Sequence, residues 1–198
     1  MIIVVAALKG GVAKTTTAIY LSALASARRP AVLVDADPQA SAADWIESSE
    51  DQYLERVSLV EAPTDRLLVK ALDRMDGEGV AIVDTPPGNE RLLAKAMERA
   101  DVVVVPTRIG GVETTRVEAV LDVVPRKTPV GLVICSARTY TRDYQEVVAS
   151  WTEANVEIWG TVPERVSIAS GPEGPLSLDG IESYRVVWRR ALRAVRES

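Results

Sequence analysis

The chain contains no histidine and no phenylalanine among its 198 residues, and it has a single cysteine. The lack of histidine excludes histidine-based triads, histidine zinc sites and histidine general bases, so catalysis must use carboxylates, lysines or a bound metal. One cysteine cannot form a disulfide within the chain, which fits a reducing compartment. This residue, Cys135, lies in the apolar run PVGLVICSA, where we expect a small buried side chain.

Long hydrophobic runs are also missing. No apolar stretch approaches the roughly 18 to 20 residues needed to cross a bilayer, so we expect a cytoplasmic protein. The length and the 47% apolar content predict a single globular domain over residues 1–198. The net charge is −5, yet residues 184–198 contain five arginines and one glutamate. A basic element on an acidic chain favours a polyanionic partner.

Strand-like and helical segments alternate along the chain. The strand candidates are short apolar runs at residues 2–7, 31–35, 57–61, 80–84, 102–106, 130–135 and 156–159. The helix candidates lie between and after them, at residues 14–28, 40–48, 64–75, 90–99, 111–123, 141–154 and 181–196. Solid apolar strands are typical of parallel sheets covered on both faces. The alternation therefore predicts a doubly wound α/β fold, with a mainly parallel sheet of about seven strands between helices.

The segment LKGGVAKTTT, residues 8–17, follows the first strand candidate and opens the first helix candidate. Its glycine pair permits a tight turn and a close approach of backbone to a ligand, and the N–H groups at a helix start attract anions. The common phosphate-loop pattern G-x-x-x-x-G-K-[ST] has glycines where this chain has Leu8 and Ala13. We nevertheless predict that Lys14 reaches the β- and γ-phosphates of a nucleotide and that the Thr15 hydroxyl binds Mg²⁺.

Carboxylates end two further strand candidates. Asp35 and Asp37 belong to the segment VLVDADPQ, and Asp84 belongs to GVAIVDTPPG. The carboxyl ends of parallel strands form the ligand-binding edge of a doubly wound fold, so we expect these side chains beside the phosphate loop. Without histidine, an aspartate beside Mg²⁺ can position the attacking water. Asp84 suits a contact to the Mg²⁺ shell, whereas Asp35 either supports that shell or pairs with Lys14.

These motifs carry a family resemblance. The spacing K-G-G-x-x-K-T resembles the deviant Walker A loop of the ParA/MinD family of ATPases, and D-x-D-P-Q and D-T-P-P-G resemble its switch segments. The resemblance implies a P-loop NTPase fold of the SIMIBI type that binds ATP and Mg²⁺. Position 13 is free in this loop pattern, so Ala13 is expected to be harmless.

The same resemblance implies a role for three further residues. Lys9 would reach across a homodimer to the phosphates held by the other subunit, where a second cation stabilises the transferring phosphoryl group. Asp37 would orient or deprotonate the attacking water, and the N–H of Gly88 would point toward the γ-phosphate. A weaker likeness of residues 160–178 to the adenine-side loop of the family adds base-contact candidates: Pro163, Glu164 and, after the sixth strand, Arg138.

The predicted site residues fall into three groups. Those assigned to catalysis are Lys9, Lys14 and Asp37. Those assigned to the metal are Thr15, Asp37 and Asp84. Those assigned to the nucleotide are Lys9, Gly10, Gly11, Val12, Ala13, Lys14, Thr15, Thr16, Gly88, Arg138, Pro163 and Glu164. The short chain, the segment DPQASAADW and the missing N-terminal DNA-binding domain are most similar to small plasmid-type ParA proteins.

The segment SYRVVWRRALRAVRES predicts an amphipathic C-terminal helix. Apolar side chains recur at helical spacing along one face. The opposite face carries arginines at positions Arg185, Arg189, Arg193 and Arg196. We interpret this face as a surface that binds DNA phosphates without reading sequence. The alternatives are a core-packed helix whose arginines are merely solvated, and a membrane-surface helix as in MinD relatives.

Together these features predict an ATPase whose ATP-bound homodimer binds non-specific DNA and drives plasmid or chromosome segregation, or positions another cargo. A ParB-like adaptor would stimulate hydrolysis, and the ATP-bound protein would associate with the nucleoid. The alternatives are a MinD-like, membrane-associated positioning ATPase and a metabolic ligase of the same fold. The iron–sulfur branches of the family are excluded, because a bridging cluster needs two cysteines per subunit and the chain has one.

Overall fold

A sheet of seven parallel strands forms the centre of the part of the chain that the structure describes. This computed structural model describes residues 1–75, 79–169, 171 and 174–198, without the side chains of residues 111–113. The strands are β1 (Ile2–Val5), β2 (Ala31–Asp35), β3 (Val57–Glu61), β4 (Val80–Asp84), β5 (Val102–Thr107), β6 (Val130–Ala137) and β7 (Ile158–Pro163). Their order across the sheet is β3-β2-β4-β1-β5-β6-β7, which confirms the predicted doubly wound parallel fold.

Helices cover both faces of the sheet. They are α1 (Lys14–Ser26), α2 (Ser41–Ser48), α3 (Asp65–Leu72), α4 (Glu90–Met97), α5 (Gly111–Leu121), α6 (Arg142–Glu153), α7 (Val166–Ala169) and α8 (Leu178–Glu197). Apolar residues of α1, α2, α7 and α8 belong to one buried cluster, and those of α3, α4, α5 and α6 belong to a second. Ile3 and Val5 of β1 lie in the first cluster and Val4 lies in the second, as the alternation of side chains along a strand requires.

The central strands are apolar throughout because helices bury both of their faces. Every residue of β4, with the sequence VAIVD, is buried. Burying a Val or Ile side chain contributes about 1.5–3 kcal/mol, so each such strand favours this two-sided arrangement strongly. Within the described residues, no helix combines the length and the apolar character that crossing a membrane requires.

The bounds of β2, β3 and β4 agree with the sequence prediction. The last predicted strand, residues 156–159, exists, but its bounds are wrong. The strand β7 instead spans Ile158–Pro163, beginning where Ile158 pairs with Leu132. Asn155 adopts a left-handed conformation with φ +56°, and the N–H of Val156 bonds to the carbonyl of Trp151 at 2.9 Å. These two residues therefore close the end of α6 and cannot also begin a strand.

The C-terminal helix is longer than predicted and packs closely on α1. It begins at Leu178 because the Ser177 hydroxyl accepts a hydrogen bond from the N–H of Gly180 at 3.0 Å. A Cβ on Gly180 would lie 2.4 Å from the Tyr20 ring of α1, so only glycine allows this approach. The Tyr20 ring in turn stacks on Tyr184 of α8, with ring centroids 4.9 Å apart.

The strand order brings the three motif-bearing strand ends together. β4 lies between β1 and β2, and its last residue, Asp84, is in register with both Val5 and Asp35. The strand order reverses beyond β1, because β5, β6 and β7 continue on its other side. Ligands bind at such a reversal, beyond the carboxyl ends of the strands, so the fold places the phosphate loop at the expected binding edge.

Candidate functional site

The loop between β1 and α1 has the backbone of an anion cradle. Gly11 and Ala13 both adopt left-handed conformations, with φ +76° and +72°, and Ala13 is the N-cap of α1. The first N–H groups of the helix have no acceptor in a preceding turn and can face an anion. The left-handed conformation costs an alanine about 1 kcal/mol. The loop therefore accommodates Ala13 with some backbone strain, which the glycine of the common pattern would relieve.

Lys14 is the first residue of α1, and its side chain lies back over the loop. It is only 7% exposed, and its Nζ donates a hydrogen bond to the carbonyl of Lys9 at 2.7 Å. Burial lowers the pKa of Lys14, whereas the charges of Asp84 and Asp37 act in the opposite direction. A triphosphate would supply the negative charge that a buried ammonium needs, which suits Lys14 to its predicted role.

The predicted metal residues Thr15 and Asp84 are in contact. The Thr15 hydroxyl donates a hydrogen bond to Oδ2 of Asp84 at 2.7 Å. The other carboxylate oxygen, Oδ1, is buried and has no hydrogen-bond partner among the described residues. Burial raises the pKa of Asp84 to about 7, although the Thr15 hydrogen bond lowers it. A buried oxygen without a donor is a ready acceptor for a cation or for its bound water.

This donor set fits Mg²⁺ that arrives with phosphate. Among the described residues, no group of three or more His, Cys, Asp or Glu side chains could hold a metal ion by itself. Mg²⁺ usually keeps several waters and binds one or two protein oxygens together with substrate phosphates. A hydroxyl in contact with one buried carboxylate, beside an anion cradle, meets that requirement.

Asp35 organises the segment that carries Asp37. Its buried carboxylate accepts hydrogen bonds from the N–H groups of Asp37 at 3.0 Å, Ala42 at 3.0 Å and Ala43 at 2.9 Å. Burial raises the pKa of Asp35, and these backbone bonds lower it. Oδ1 therefore fixes the turn after β2, and Oδ2 fixes the start of α2. The expected pairing of Asp35 with Lys14 is therefore not supported.

Asp37 is half-buried and faces the loop. Its Oδ1 accepts a hydrogen bond from the N–H of Gln39 at 2.9 Å, which closes the turn after β2. Its charge influences the pKa of both Lys14 and Asp84, so the three ionisable groups lie close together. A carboxylate in this position has access to the space over the loop.

A cavity of about 340 Å³ occupies that space. The predicted residues that line it are Gly10, Gly11, Ala13, Lys14, Thr15, Thr16, Asp37 and Pro163. Val12 is instead buried beneath the loop, and Lys9 is exposed at its start. Gly88, with φ +68°, directly follows Pro87, which lines the cavity. The volume is in the range of small-molecule sites.

Two of the three predicted base contacts do not line the cavity. These residues are Arg138 and Glu164, and their exposed side chains form an ion pair with each other. The lining does include Arg108, Ser136, Arg165 and Ile168, none of which was predicted. Arg108 and Ser136 lie at the carboxyl ends of β5 and β6, so strand-end position was the signal that could have found them.

Two buried residues connect the inner wall of the cavity to α8. Cys135 and Tyr184 both line the cavity. The Tyr184 hydroxyl lies 3.0 Å from the Thr17 hydroxyl of α1 and 3.7 Å from the Cys135 sulfur. Burial raises the pKa of Cys135 to about 11 and raises that of Tyr184 as well, so both side chains stay protonated at neutral pH. The predicted burial of Cys135 is confirmed.

The predicted arginine face lies on the solvent side of α8. The opposite side of the helix packs in the core through residues that include Tyr184, Val187, Trp188 and Ala191. Arg185 pairs with Glu182 at 2.9 Å, and Arg193 pairs with Glu197 at 2.7 Å. Exposed ion pairs of this kind contribute little, so phosphates can replace the glutamates as partners of these arginines.

The sequence is similar to those of known proteins. A family model described as the CobQ/CobB/MinD/ParA nucleotide binding domain matches residues 3–176. The chain belongs to the ParA/MinD family. This family member is 30% identical over 168 residues to the protein ParA of Rhizobium radiobacter, an alignment that covers 79% of the chain and 75% of that protein. It is also 42% identical over 100 residues to the maintenance of carboxysome distribution protein A of Gloeobacter kilaueensis, covering 50% and 45% of the two chains.

Solved structures support the ParA/MinD fold. A plasmid partition protein of Borrelia burgdorferi bound to AMPPNP matches with a TM-score of 0.80 and 22% identity, covering 97% of this chain and 98% of that one. The MinC–MinD cell division complex of Aquifex aeolicus matches with a TM-score of 0.78 and 18% identity, covering 97% and 95%. At these identities the likeness concerns the fold alone.

Proposed function

We propose that this ParA/MinD-family chain is a Mg²⁺-dependent ATPase that dimerises with ATP and binds DNA without sequence preference. The observation that carries the proposal is the convergence of Lys14, Thr15 and Asp37 on one cavity, with Asp84 in contact with Thr15 behind it. These residues come from three strand ends that are distant in sequence. Their meeting over a helix N-terminus is the arrangement that a nucleoside triphosphate requires.

In the proposed complex the loop N–H groups from Gly10 to Thr16 hold the phosphates, and the Lys14 ammonium binds the β- and γ-phosphates. Thr15 and Asp84 would hold Mg²⁺, which supplies charge neutralisation of the phosphates when bound. The adenine would occupy the end of the cavity near Pro163 and Ile168. Arg138 and Glu164 remain predicted base contacts that require a rearrangement of their ion pair.

Asp37 is the proposed water-positioning residue. Its carboxylate borders the cavity while the Gln39 N–H and the Asp35-supported backbone hold its segment in place. A fixed carboxylate can accept a hydrogen bond from the attacking water and orient it toward the γ-phosphate. Lys9, exposed at the start of the loop, would reach the phosphates of a second subunit. Two such contacts, one from the Lys9 of each subunit, would make ATP the link between the subunits.

DNA binding is assigned to Arg185, Arg189, Arg193 and Arg196 of α8. A dimer would present two such rows, and more cations facing one duplex strengthen non-specific binding. The apolar side of α8 is buried against α1 and β7. A membrane-surface helix needs that side free to enter the lipid interface, so the packing favours DNA over the MinD-like alternative.

The cellular role that we propose is the segregation of DNA or the positioning of a cargo, with a ParB-like adaptor that stimulates hydrolysis. The similarity to ParA of Rhizobium radiobacter and to a carboxysome distribution protein supports a partition or positioning role. The ATP-bound form would associate with the nucleoid in the cytoplasm. A metabolic ligase of the same fold is the remaining alternative, and it would not bind DNA in response to ATP.

Two binding assays test this proposal: mobility shift of a DNA duplex, and sedimentation with lipid vesicles. The purified protein is mixed with a random DNA duplex or with anionic vesicles, each with ATP and Mg²⁺, with ADP and Mg²⁺, or with ATP and EDTA. We expect DNA binding only with ATP and Mg²⁺, and we expect it to weaken steeply with added salt. Replacing Arg189 and Arg196 by alanine should reduce DNA binding without changing the affinity for ATP. Binding to vesicles but not to DNA would contradict the proposal and favour the MinD-like alternative.

A further inference from the structure

The helices α3 and α4 form a shallow groove on the sheet face opposite α1 and α8. Their apolar sides are buried together in the second core cluster. Their solvent sides, with the residues that follow α3, enclose a volume of about 590 Å³, which we call the α3–α4 groove. It is lined by Asp65, Arg66, Val69, Lys70, Asp73, Arg74, Arg91 and Lys95. None of these residues lines the nucleotide cavity.

Cations recur at every fourth residue along both helices of the groove. Along α3 and its extension they are Arg66, Lys70 and Arg74, and along α4 and its extension they are Arg91, Lys95 and Arg99. Residues four apart lie on the same side of a helix. Each helix therefore carries a row of positive charge, and five of these six cations line the groove.

The acidic residues of the groove are already used to join the two helices. The Asp65 carboxylate pairs with Arg91 at 2.6 Å, and Asp73 pairs with Arg99 at 3.2 Å. Among the described residues, Arg66 and Lys70 form no ion pair. Lys95 also pairs with Glu98, at 2.7 Å, so the six cations of the two rows face three paired carboxylates and a balance of +3 remains, on a chain whose net charge is −5. Such a local reversal of sign favours an anionic partner.

The floor of the groove indicates what kind of anion fits. The lining is mostly aliphatic, from Val69 and from the methylene stems of the lysines and arginines. We propose that the α3–α4 groove binds an acidic amphipathic helix of a partner protein. Apolar side chains of such a helix lie in the groove at i, i+3 and i+4 spacing. Its carboxylates contact the α3 row first, where Arg66 and Lys70 form no ion pair among the described residues, whereas the cations of the α4 row already have carboxylate partners.

A peptide suits the groove better than a DNA duplex does. A duplex presents phosphates on a convex surface and gains nothing from a recessed aliphatic floor, since its contacts are mainly to the charged head groups. The amphipathic peptide uses both the cations and the floor, so the observations favour it.

The groove is also close in sequence to the nucleotide-binding segments. The α4 helix is capped by Asn89, whose side chain accepts a hydrogen bond from the N–H of Leu92 at 3.0 Å. Asn89 directly follows Gly88 of the predicted switch segment. A peptide held by α4 would therefore contact the element that begins where the switch ends. Peptide binding itself does not depend on the ATPase proposal, because none of the groove residues is assigned to the nucleotide.

Fluorescence anisotropy with a labelled synthetic peptide tests the inference. The probe is a helical peptide of about four turns, with glutamates at every fourth position and leucines at i, i+3 and i+4 spacing. A second peptide has glutamine in place of every glutamate. We expect the full-length protein to bind the acidic peptide at least about tenfold more tightly than the glutamine peptide, because only the former can pair with the cationic rows.

Two matched variants locate the binding site. Arg66→Glu with Lys70→Glu reverses the α3 row, whereas Arg126→Glu with Lys127→Glu makes the same change of charge in an exposed loop elsewhere. The first variant should weaken peptide binding by about tenfold or more, and the second should change it by less than about twofold. Thermal unfolding and ATP-analogue binding should be alike in both variants, which would show that the first has not simply unfolded.

Three results would overturn the inference. If the wild-type protein binds neither peptide, the groove has no such occupant. The two variants could bind the acidic peptide equally, which would place the interaction elsewhere. The Arg66→Glu, Lys70→Glu variant could lose binding to a random DNA duplex while its peptide binding is unchanged. That result would identify the groove as a nucleic-acid surface.

Discussion

The hydroxyl of Tyr184 lies 3.0 Å from the hydroxyl of Thr17, which joins the C-terminal helix to the helix that follows the phosphate loop. Both side chains are fully buried, and Tyr184 also lines the nucleotide cavity. The next residue along α8, Arg185, belongs to the predicted DNA face. The two proposed binding surfaces are therefore supported by adjacent residues of one helix.

Replacing Tyr184 by phenylalanine should lower the free energy of unfolding by about 1 kcal/mol or more, because the buried Thr17 hydroxyl loses its partner. Chemical denaturation measures this change. The matched control is Tyr140→Phe, which removes a hydroxyl from a residue that is 81% exposed and should leave stability nearly unchanged. Equal effects of the two substitutions would show that the Tyr184–Thr17 contact contributes nothing to stability.

Replacing Lys9 by alanine should leave ATP binding intact but abolish ATP-dependent dimerisation or stimulated turnover, because the proposed partner of Lys9 is the nucleotide of the other subunit. Nucleotide titration and size-exclusion chromatography with light scattering separate the two effects. Lys127→Ala, in an exposed loop, is the control for loss of one positive charge. A Lys9→Ala protein with normal dimerisation and turnover would contradict the proposed role of Lys9 at the nucleotide of the other subunit.

Replacing Asp37 by alanine should trap an ATP-bound dimer, because the residue proposed to position water is lost while the phosphate loop remains. Hydrolysis by this variant at the wild-type rate would remove Asp37 from the mechanism. Asp44→Ala, on the neighbouring helix α2, is a suitable control for loss of one carboxylate.

Mixing the Lys9→Ala and Asp37→Ala proteins before ATP is added distinguishes action across the dimer from action within one subunit. The Lys9→Ala subunit keeps its own Asp37 and would receive Lys9 from its partner, so mixed dimers contain one complete site. The mixture should then recover measurable turnover, at most about a quarter of the wild-type value, which is the limit for random pairing. If Lys9 serves its own subunit, no complete site forms and turnover stays absent.

Replacing Ala13 by glycine should be neutral or stabilising by up to about 1 kcal/mol, because glycine adopts the left-handed conformation without strain. An exposed alanine inside a helix behaves in the opposite way, and Ala94→Gly in α4 should cost about 1 kcal/mol. Thermal or chemical unfolding of the two variants makes the comparison directly. Equal destabilisation by both would argue against strain at position 13.

The thiol of Cys135 should react slowly with iodoacetamide in the folded protein. Its pKa is raised to about 11 by burial, so the reactive thiolate is scarce at neutral pH and appears only as the pH rises toward that value. Mass spectrometry should show rapid labelling once guanidinium unfolds the chain, because the pKa then returns to its ordinary range. Rapid labelling without denaturant would mean that the inner wall of the cavity opens readily.

The parts of the fold that follow from local sequence were predictable. The runs that form β2, β3 and β4 end at sharp polar or proline boundaries, so their limits could be read from the sequence. The start of β7 could not, because it depends on the left-handed turn at Asn155 and on the register of Ile158 against Leu132. Such pairing between distant residues leaves no periodic pattern in the sequence.

Some residues of the candidate site were likewise predictable from local sequence, and others were not. Lys14, Thr15 and Asp37 lie in short motifs whose spacing carries the chemistry, and the structure brings them to one cavity. The rest of the cavity lining depends on which strand ends face the cavity. Arg108 and Ser136 belong to this part of the lining, and they lie outside any motif. The role of Asp35 was also hidden, because a carboxylate that accepts backbone N–H groups has the same sequence signature as one that faces a metal.

The burial of Tyr184 in the wall of the nucleotide cavity decides how the proposed DNA binding should be tested. Removing the C-terminal helix would delete the arginines, but it would also open the cavity wall and expose the side of α1 that Tyr184 covers. A truncated protein that failed to bind DNA would therefore say nothing about the arginines. Only substitutions confined to the outer side chains of α8 leave the nucleotide pocket closed while the charge is changed.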